Sequence, residues 1–143
     1  MKSLGRLLCL LITLGTLLLA GSAQAGSVKI YKVLPHYLDK KGQHTLSPSL
    51  FERDRYQSLL REDKTKCSTL RFDIQWRNTL PDTTDMKIRV DVRDSQPGNP
   101  VISIEENVTS KKSIWSRWTK ISIPEEDFRE MESPEAWRVL ILD

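Results

Sequence analysis

The residues of this chain best suited to contact a ligand are a tryptophan and a lysine two positions apart, Trp118 and Lys120. Successive side chains of a β-strand point to opposite faces, so Trp118 lies on the outer side if Thr119 and Ile121 face a core. Lys120 then follows on the same outer side. An exposed indole offers a flat apolar surface that can stack on a sugar ring or on a side chain of a partner. The alternative is a β-bulge that returns Trp118 and the nearby Trp115 to the core or its rim.

A cationic face is the second candidate for ligand binding. Segments 70–77 and 86–93 alternate apolar and polar residues, which is typical of strands with one side on a core and the other in water. If both strands belong to one sheet, their polar sides form a single face with an excess of positive charge. Guanidinium groups suit carboxylate, sulfate or phosphate ligands, whereas the alternative is a solvated face that only keeps the sheet soluble. The cations of this face are Arg71, Arg77, Lys87, Arg89 and Arg93, and its acids are Asp73 and Asp91.

The potential metal ligands do not form a recognisable set. A blue-copper site needs two histidines, a cysteine and usually a methionine. The chain offers His36, His44, Cys67 and Met86, but both histidines precede the cysteine and no late loop gathers Cys, His and Met. Paired Cys or His spacings typical of zinc sites are also missing from the sequence. We therefore expect no metal and no cofactor.

Catalytic motifs are equally sparse. The sequence has no Gly-x-Ser-x-Gly motif and no glycine-rich phosphate loop. Carboxylate pairs can act as general acid and base, and Glu105 and Glu106 are adjacent. A small exported hydrolase is therefore an alternative function. It requires one of these glutamates to meet His36 or His44 in a concave site.

Residues 1–25 predict export through a signal peptide. Lys2 and Arg6 precede the apolar run 7–20, and an Ala-Gln-Ala motif for cleavage ends at Ala25. The run is shorter than the roughly 18 residues of a membrane-spanning helix, so we expect no membrane anchor after cleavage and a periplasmic or secreted protein. The signal holds two of the 22 Lys and Arg and none of the 19 Asp and Glu. The mature chain is therefore nearly neutral, which gives no case for nucleic-acid binding.

Cys67 is the one cysteine left when Cys9 departs with the signal, so the mature chain has no internal disulfide. We expect its thiol to lie partly exposed at the boundary of an element, beside Lys66. The alternative is a mixed disulfide with a partner. Asn107 begins an Asn-x-Thr glycosylation sequon, a short pattern that is common by chance.

Residues 26–143 have the length of a single domain and predict a mainly β fold. The expected strands are 28–34, 70–77, 86–93, 101–108, 118–123 and 137–142. The last of these is nearly all apolar, which predicts a central strand that buries Trp137. Segment 78–85 is expected to form a hairpin loop.

Helices are expected at two places. Ser47-Pro48 predicts a start, and the segment 48–62 follows with an apolar face of Phe51, Tyr56, Leu59 and Leu60. Acidic residues after Pro124 predict a shorter turn or helix. The fold class is therefore an antiparallel β-sandwich with one inserted helix, with an immunoglobulin-like arrangement as one form.

These features together favour an exported, non-catalytic domain that binds a protein or a glycan in the cell envelope or the extracellular space. The candidate ligand-binding residues are Trp118, Lys120, Arg71, Arg77, Arg89 and Arg93. Besides the hydrolase, a second alternative is an assembly subunit that pairs with its neighbours through a sheet edge, with strand 28–34 as the segment exchanged.

Overall fold

A computed structural model describes residues 27–81, 86–109 and 111–142, and the predicted signal peptide, 1–25, lies outside them. The described chain is mainly β. It forms two antiparallel sheets of three strands each, together with two helices. The predicted antiparallel sandwich with an inserted helix is confirmed.

The chain places two consecutive strands in the first sheet and two in the second, and then adds one strand to each. The first contains β1 (Val28–Asp39), β2 (Cys67–Asn78) and β5 (Arg117–Ser122), paired in that order. The second contains β4 (Ile102–Val108), β3 (Met86–Asp94) and β6 (Pro134–Leu142), again paired in the order given. This is the order of strands A, B and E and of strands C′, C and F in an immunoglobulin-type sandwich.

The core lies between the sheets and follows from the alternation of β2 and β3. Alternate residues of these two strands are fully buried, namely Phe72, Ile74, Trp76, Ile88, Val90 and Val92. Each fully buried side chain of this kind stabilises the fold by about 1.5–3 kcal/mol relative to exposure. Trp76 also satisfies its polar atom, because its Nε1 donates to Thr119 Oγ1 at 2.9 Å.

The predictions for the 78–85 connection, for the position of strand 137–142 in its sheet and for the burial of Trp137 were wrong. β2 and β3 lie in different sheets, so segment 78–85 connects the sheets and is not a hairpin loop. Asn78 Oδ1 accepts from the backbone N–H of Leu80 at 2.8 Å, a turn that bends the chain out of β2. β6 is an edge strand beside β3 and not a central strand. As a result Trp137 is 43% exposed, with one side of its ring packed on Phe72 at 5.5 Å between centroids.

β1 is an edge strand of the first sheet and β6 is an edge strand of the second, and the two lie along the same side of the sandwich. Between them is a mostly apolar cavity of about 440 Å³. The side chains around it include Val28, Ile30, Leu80, Met86, Val139 and Ile141. β1 is longer than the predicted strand 28–34 and has the edge position that strand exchange requires. Pairing of this edge with a second chain stays a prediction.

Two helices contact the first sheet. α1 (Leu50–Glu62) begins two residues after the predicted Ser47-Pro48 start and contacts β1. α2 (Glu125–Glu130) is the short helix predicted after Pro124, and it contacts β2.

Polar contacts hold α1 to the edge of β1. Gln57 Oε1 accepts from Tyr37 N at 2.8 Å, and Gln57 Nε2 donates to Tyr37 O at 2.9 Å. The amide thus pairs with the edge of the strand as another backbone would. Leu60 is the one buried residue of α1, whereas Phe51 and Leu59 are exposed. The predicted apolar face of this helix was therefore only partly right.

Candidate ligand-binding face

The surface of the first sheet that points away from the core carries four of the six predicted binding residues. We call this surface the outer face. The register between the strands arranges its side chains in four rows, which are Lys29–Arg77, Lys32–Gln75–Trp118, Leu34–Asp73–Lys120 and His36–Arg71–Ser122. Trp118, Lys120, Arg71 and Arg77 are therefore neighbours on one face.

Trp118 points away from the core, as predicted. Its neighbour in sequence, Thr119, is the inward-facing residue that accepts the Trp76 hydrogen bond. Ile121 is also buried in the core. Trp118 is 48% exposed and Trp115 is more exposed still, so the alternative in which a bulge returns both indoles to the core is not observed. The sheet thus presents an indole in the row with Lys32.

A second aromatic ring lies at the opposite edge of the same face. The register of β1 shifts between Ile30 and Lys32, and this bulge accommodates Tyr31. Lys29 Nζ and the Arg77 guanidinium each lie 5.4 Å from the centroid of the Tyr31 ring. Arg77 Nη1 also donates to the carbonyl of Ile114 at 3.3 Å. These contacts give Arg77 a fixed position on the sheet.

At the end of the outer face formed by the row His36–Arg71–Ser122, the His36 and Arg71 side chains are largely buried and the positive charge of Arg71 is paired with an acid. Arg71 Nε and Nη2 donate to the two oxygens of Asp73 at 2.7 and 3.1 Å, and both side chains are only 14% exposed. His36 lies 3.9 Å from Asp73, and its ring lies against His44 at 4.7 Å between centroids. Burial, and then the neighbouring His44, hold the pKa of His36 below its ordinary value. Arg71 therefore has its acid within the protein and is poorly placed to take a ligand.

The rest of the outer face, which we call its open part, combines the exposed indole of Trp118 with polar side chains. Gln75 lies between Lys32 and Trp118 in the register, and its Nε2 donates to Ser116 Oγ at 2.8 Å. Such an arrangement can stack a ring on the indole and offer hydrogen bonds to the substituents of that ring.

Sequence reasoning missed the contribution of β1, namely Lys29, Tyr31 and Lys32. Polar residues in a predicted first strand were the available signal. However, only the pairing of β1 with β2 places those residues beside Gln75 and Arg77.

The other two predicted residues, Arg89 and Arg93, lie on the far side of the molecule. The prediction that one face gathers all four arginines depended on β2 and β3 sharing a sheet, and they do not. Arg89 Nε donates to Asp91 at 2.7 Å, and Arg93 lies 3.2 Å from Glu135. The surface of the second sheet therefore carries these cations beside acidic partners.

The groups required by the hydrolase alternative are not brought together. Glu105 lies on β4 in the second sheet, where it pairs with Lys87 at 3.1 Å, whereas His36 is on β1 in the first sheet. Within the described ranges, no group of three or more His, Cys, Asp or Glu is placed to hold a metal ion. No helix of residues 27–81, 86–109 and 111–142 is long and apolar enough to cross a membrane.

Cys67 is buried at the start of β2, so the prediction of a partly exposed thiol was wrong. Its Sγ lies 3.4 Å from the carbonyl oxygen of Thr69. Burial raises the pKa of the Cys67 thiol above its ordinary value. The side chain therefore acts as a small core residue, because both burial and a raised pKa oppose thiolate chemistry.

Comparison with known proteins found no matching family model, no significantly similar curated protein and no significantly similar solved structure.

Proposed function

We propose that this protein is an exported, non-catalytic domain that binds a glycan on its outer face. The observation that supports this most directly is the half-exposed Trp118, held at the surface of a regular strand in one row with Gln75 and Lys32. A partly exposed indole beside hydrogen-bonding side chains is complementary to a sugar ring, which has apolar C–H faces and hydroxyl groups at its rim.

Contacts within the protein hold Trp118 and Gln75 in place before any ligand binds. Trp118 is on a strand whose other side is fixed in the core by Ile121 and by the bond between Thr119 and Trp76. Gln75 is held by Ser116. Binding therefore costs little ordering of the protein, which favours affinity on a small contact area.

A glycan fits the outer face better than a folded protein partner does. Protein interfaces usually bury about 800 Å² on each side around an apolar, largely uncharged centre. Here the two rings, Trp118 and Tyr31, lie at opposite edges of the sheet, with Gln75 on the strand between them and Lys32 beside Tyr31. Alternation of aromatic and polar groups suits a polar chain that crosses the strands.

The test is a screen of immobilised polysaccharides with the purified protein, followed by titration calorimetry of any ligand found. We expect Trp118→Ala to weaken binding about tenfold, equivalent to about 1.4 kcal/mol. Phe51→Ala is the matched control, because Phe51 is an exposed aromatic residue on α1 and does not belong to the strands that form the outer face. Equal affinity of the Trp118→Ala variant and the unchanged protein would refute the proposed site.

A further inference from the structure

We infer that the ligand of the outer face is a polyanionic glycan, whose carboxylate or sulfate groups are held by the cations around Trp118 and Tyr31. This inference rests on the proposed glycan-binding function and specifies its ligand. It is carried by the difference in charge between the two exposed surfaces of the sandwich.

The surface of the second sheet has balanced charges. Its cations lie within ion-pair distance of acidic side chains, in the pairs Lys87–Glu105, Arg89–Asp91, Arg93–Glu135 and Arg138–Asp91. A mixture of both signs is what keeps a sheet surface soluble without attracting ligands of one sign.

The open part of the outer face differs. It carries Lys29, Lys32, Arg77 and Lys120, and none of the four forms an ion pair with an acid of the described residues. The one acid in its rows, Asp73, is largely covered and already bonded to Arg71. Four cations without an ion-pair partner attract anionic ligands, whereas the cations of the second sheet already lie beside acids.

The spacing of these cations fits a chain that carries repeated charges. Neighbouring strands lie about 4.8 Å apart and residues about 3.3 Å apart along a strand, so the Cα atoms of Lys32 and Lys120 are roughly 12 Å apart on either side of Gln75. By the same geometry Arg77 lies roughly 14 Å from Lys120. Several cations thus surround the indole, and a polymer stacked on Trp118 places successive anionic groups near them.

Two of these cations meet at Tyr31. Lys29 and Arg77 both lie 5.4 Å from the centroid of its ring, so their charges are no more than twice that distance apart. Two cations held beside one ring repel each other, and an anion bound near them relieves the repulsion. Arg77 uses one N–H for the carbonyl of Ile114 and has further donors in its guanidinium fork for a carboxylate or sulfate.

Three polysaccharide probes test the inference: neutral dextran, dextran sulfate and polygalacturonate, each titrated against the full protein over a series of salt concentrations. We expect both polyanions to bind more tightly than dextran, with affinity that falls as salt rises. Comparison of the two polyanions then shows whether sulfate or carboxylate is preferred.

Variants separate the role of charge from that of stacking. Removing one ionic contact lowers the slope of log K against log salt by roughly 0.7 for single-stranded nucleic acids, and a reduction in the same direction is expected for other flexible polyanions. We expect this reduction for Arg77→Gln, and retention of the slope for Arg77→Lys, which keeps the charge. Trp118→Ala should weaken binding about tenfold with an unchanged slope. Arg93→Gln, on the other surface, should alter neither quantity.

Each contrary outcome has a distinct meaning. Binding of dextran as tight as that of the polyanions, with no dependence on salt, would leave the glycan-binding function in place and overturn the polyanion inference. Equal losses for Arg77→Gln and Arg93→Gln would show non-specific attraction and would also overturn it. Failure of every polysaccharide to bind would contradict the proposed function itself.

Discussion

Replacement of Asp91 by alanine tests how the second sheet is held together. The Asp91 carboxylate is only 4% exposed and accepts four hydrogen bonds. Two come from Arg89 at 2.7 and 3.1 Å, one from Ser103 at 2.6 Å and one from Arg138 at 2.7 Å. Since these donors belong to β3, β4 and β6, a single carboxylate joins all three strands.

The expected loss of stability is about 3 kcal/mol, at the low end of the range for breaking a buried ion pair. It is not larger because the Arg138 side chain is 66% exposed and regains water when its partner is removed. Asp73→Ala is the matched control. Asp73 accepts the same bidentate pair of bonds, from Arg71 at 2.7 and 3.1 Å, but has no second arginine. We expect it to cost about 1.5 kcal/mol, at the low end of the range for hydrogen bonds to a charged group.

The pH dependence has a defined sign. The hydrogen bonds from Arg89 and Ser103 hold the pKa of Asp91 well below its ordinary value. A carboxyl whose pKa is lower in the folded state stabilises that state fully above its unfolded pKa, which is about 3.9. This stabilisation is lost as the pH falls through the folded pKa. The difference in stability between the unchanged protein and Asp91→Ala should therefore be constant from pH 7 to about 5 and shrink below about 4.

The measurement is urea-induced unfolding, followed by tryptophan fluorescence at several pH values, with equal m-values as the check on two-state behaviour. An Asp91→Ala variant within about 0.5 kcal/mol of the unchanged protein would refute the reasoning, because such a change is typical of an unimportant surface site. A loss no larger than that of Asp73→Ala would refute it equally, since Arg138 and Ser103 would then contribute nothing.

Two further predictions concern α1 and the buried thiol. Leu60→Ala should lower the free energy of unfolding by about 2–4 kcal/mol, as for a buried leucine, whereas the exposed Phe51→Ala should change it by less than about 0.5 kcal/mol. Equal effects in urea titrations would show that α1 does not dock through Leu60. The Cys67 thiol should react with a thiol reagent at pH 8 only after unfolding, because burial both shields it and raises its pKa. Reaction of the native protein at the rate of the unfolded chain would contradict this.

Periodicity in the sequence was enough to predict several parts of the fold. The alternation of 70–77 and 86–93 correctly predicted that the apolar side chains of these segments are buried, although Asp91, on the polar side of β3, is buried as well. In the same way, the positions of Thr119 and Ile121 correctly placed Trp118 on the outer side of its strand. These features depend on the local geometry of a strand, in which neighbouring residues face opposite ways whatever the strand pairs with.

The same reasoning failed wherever the outcome depended on pairing. An apolar run at 137–142 predicted a central strand, yet β6 lies at an edge and exposes Trp137. Cys67 was expected at a partly exposed boundary because of its charged neighbour, yet it is the first buried residue of β2. Neither local composition nor hydropathy predicts which strand will pair with a given strand.

The sequence by itself determined the antiparallel sandwich, the inserted helix and the outward direction of Trp118 and Lys120, because these follow from side-chain periodicity and helix-start signals. The tertiary structure alone decided the composition of the candidate site. It separated Arg89 and Arg93 from Arg71 and Arg77 by placing β2 and β3 in different sheets, and it brought Lys29, Tyr31 and Lys32 to the same face by pairing β1 with β2. The physical reason is that strands with the same alternation can pair in many orders. The order is selected by backbone hydrogen bonds and core packing between residues far apart in the chain.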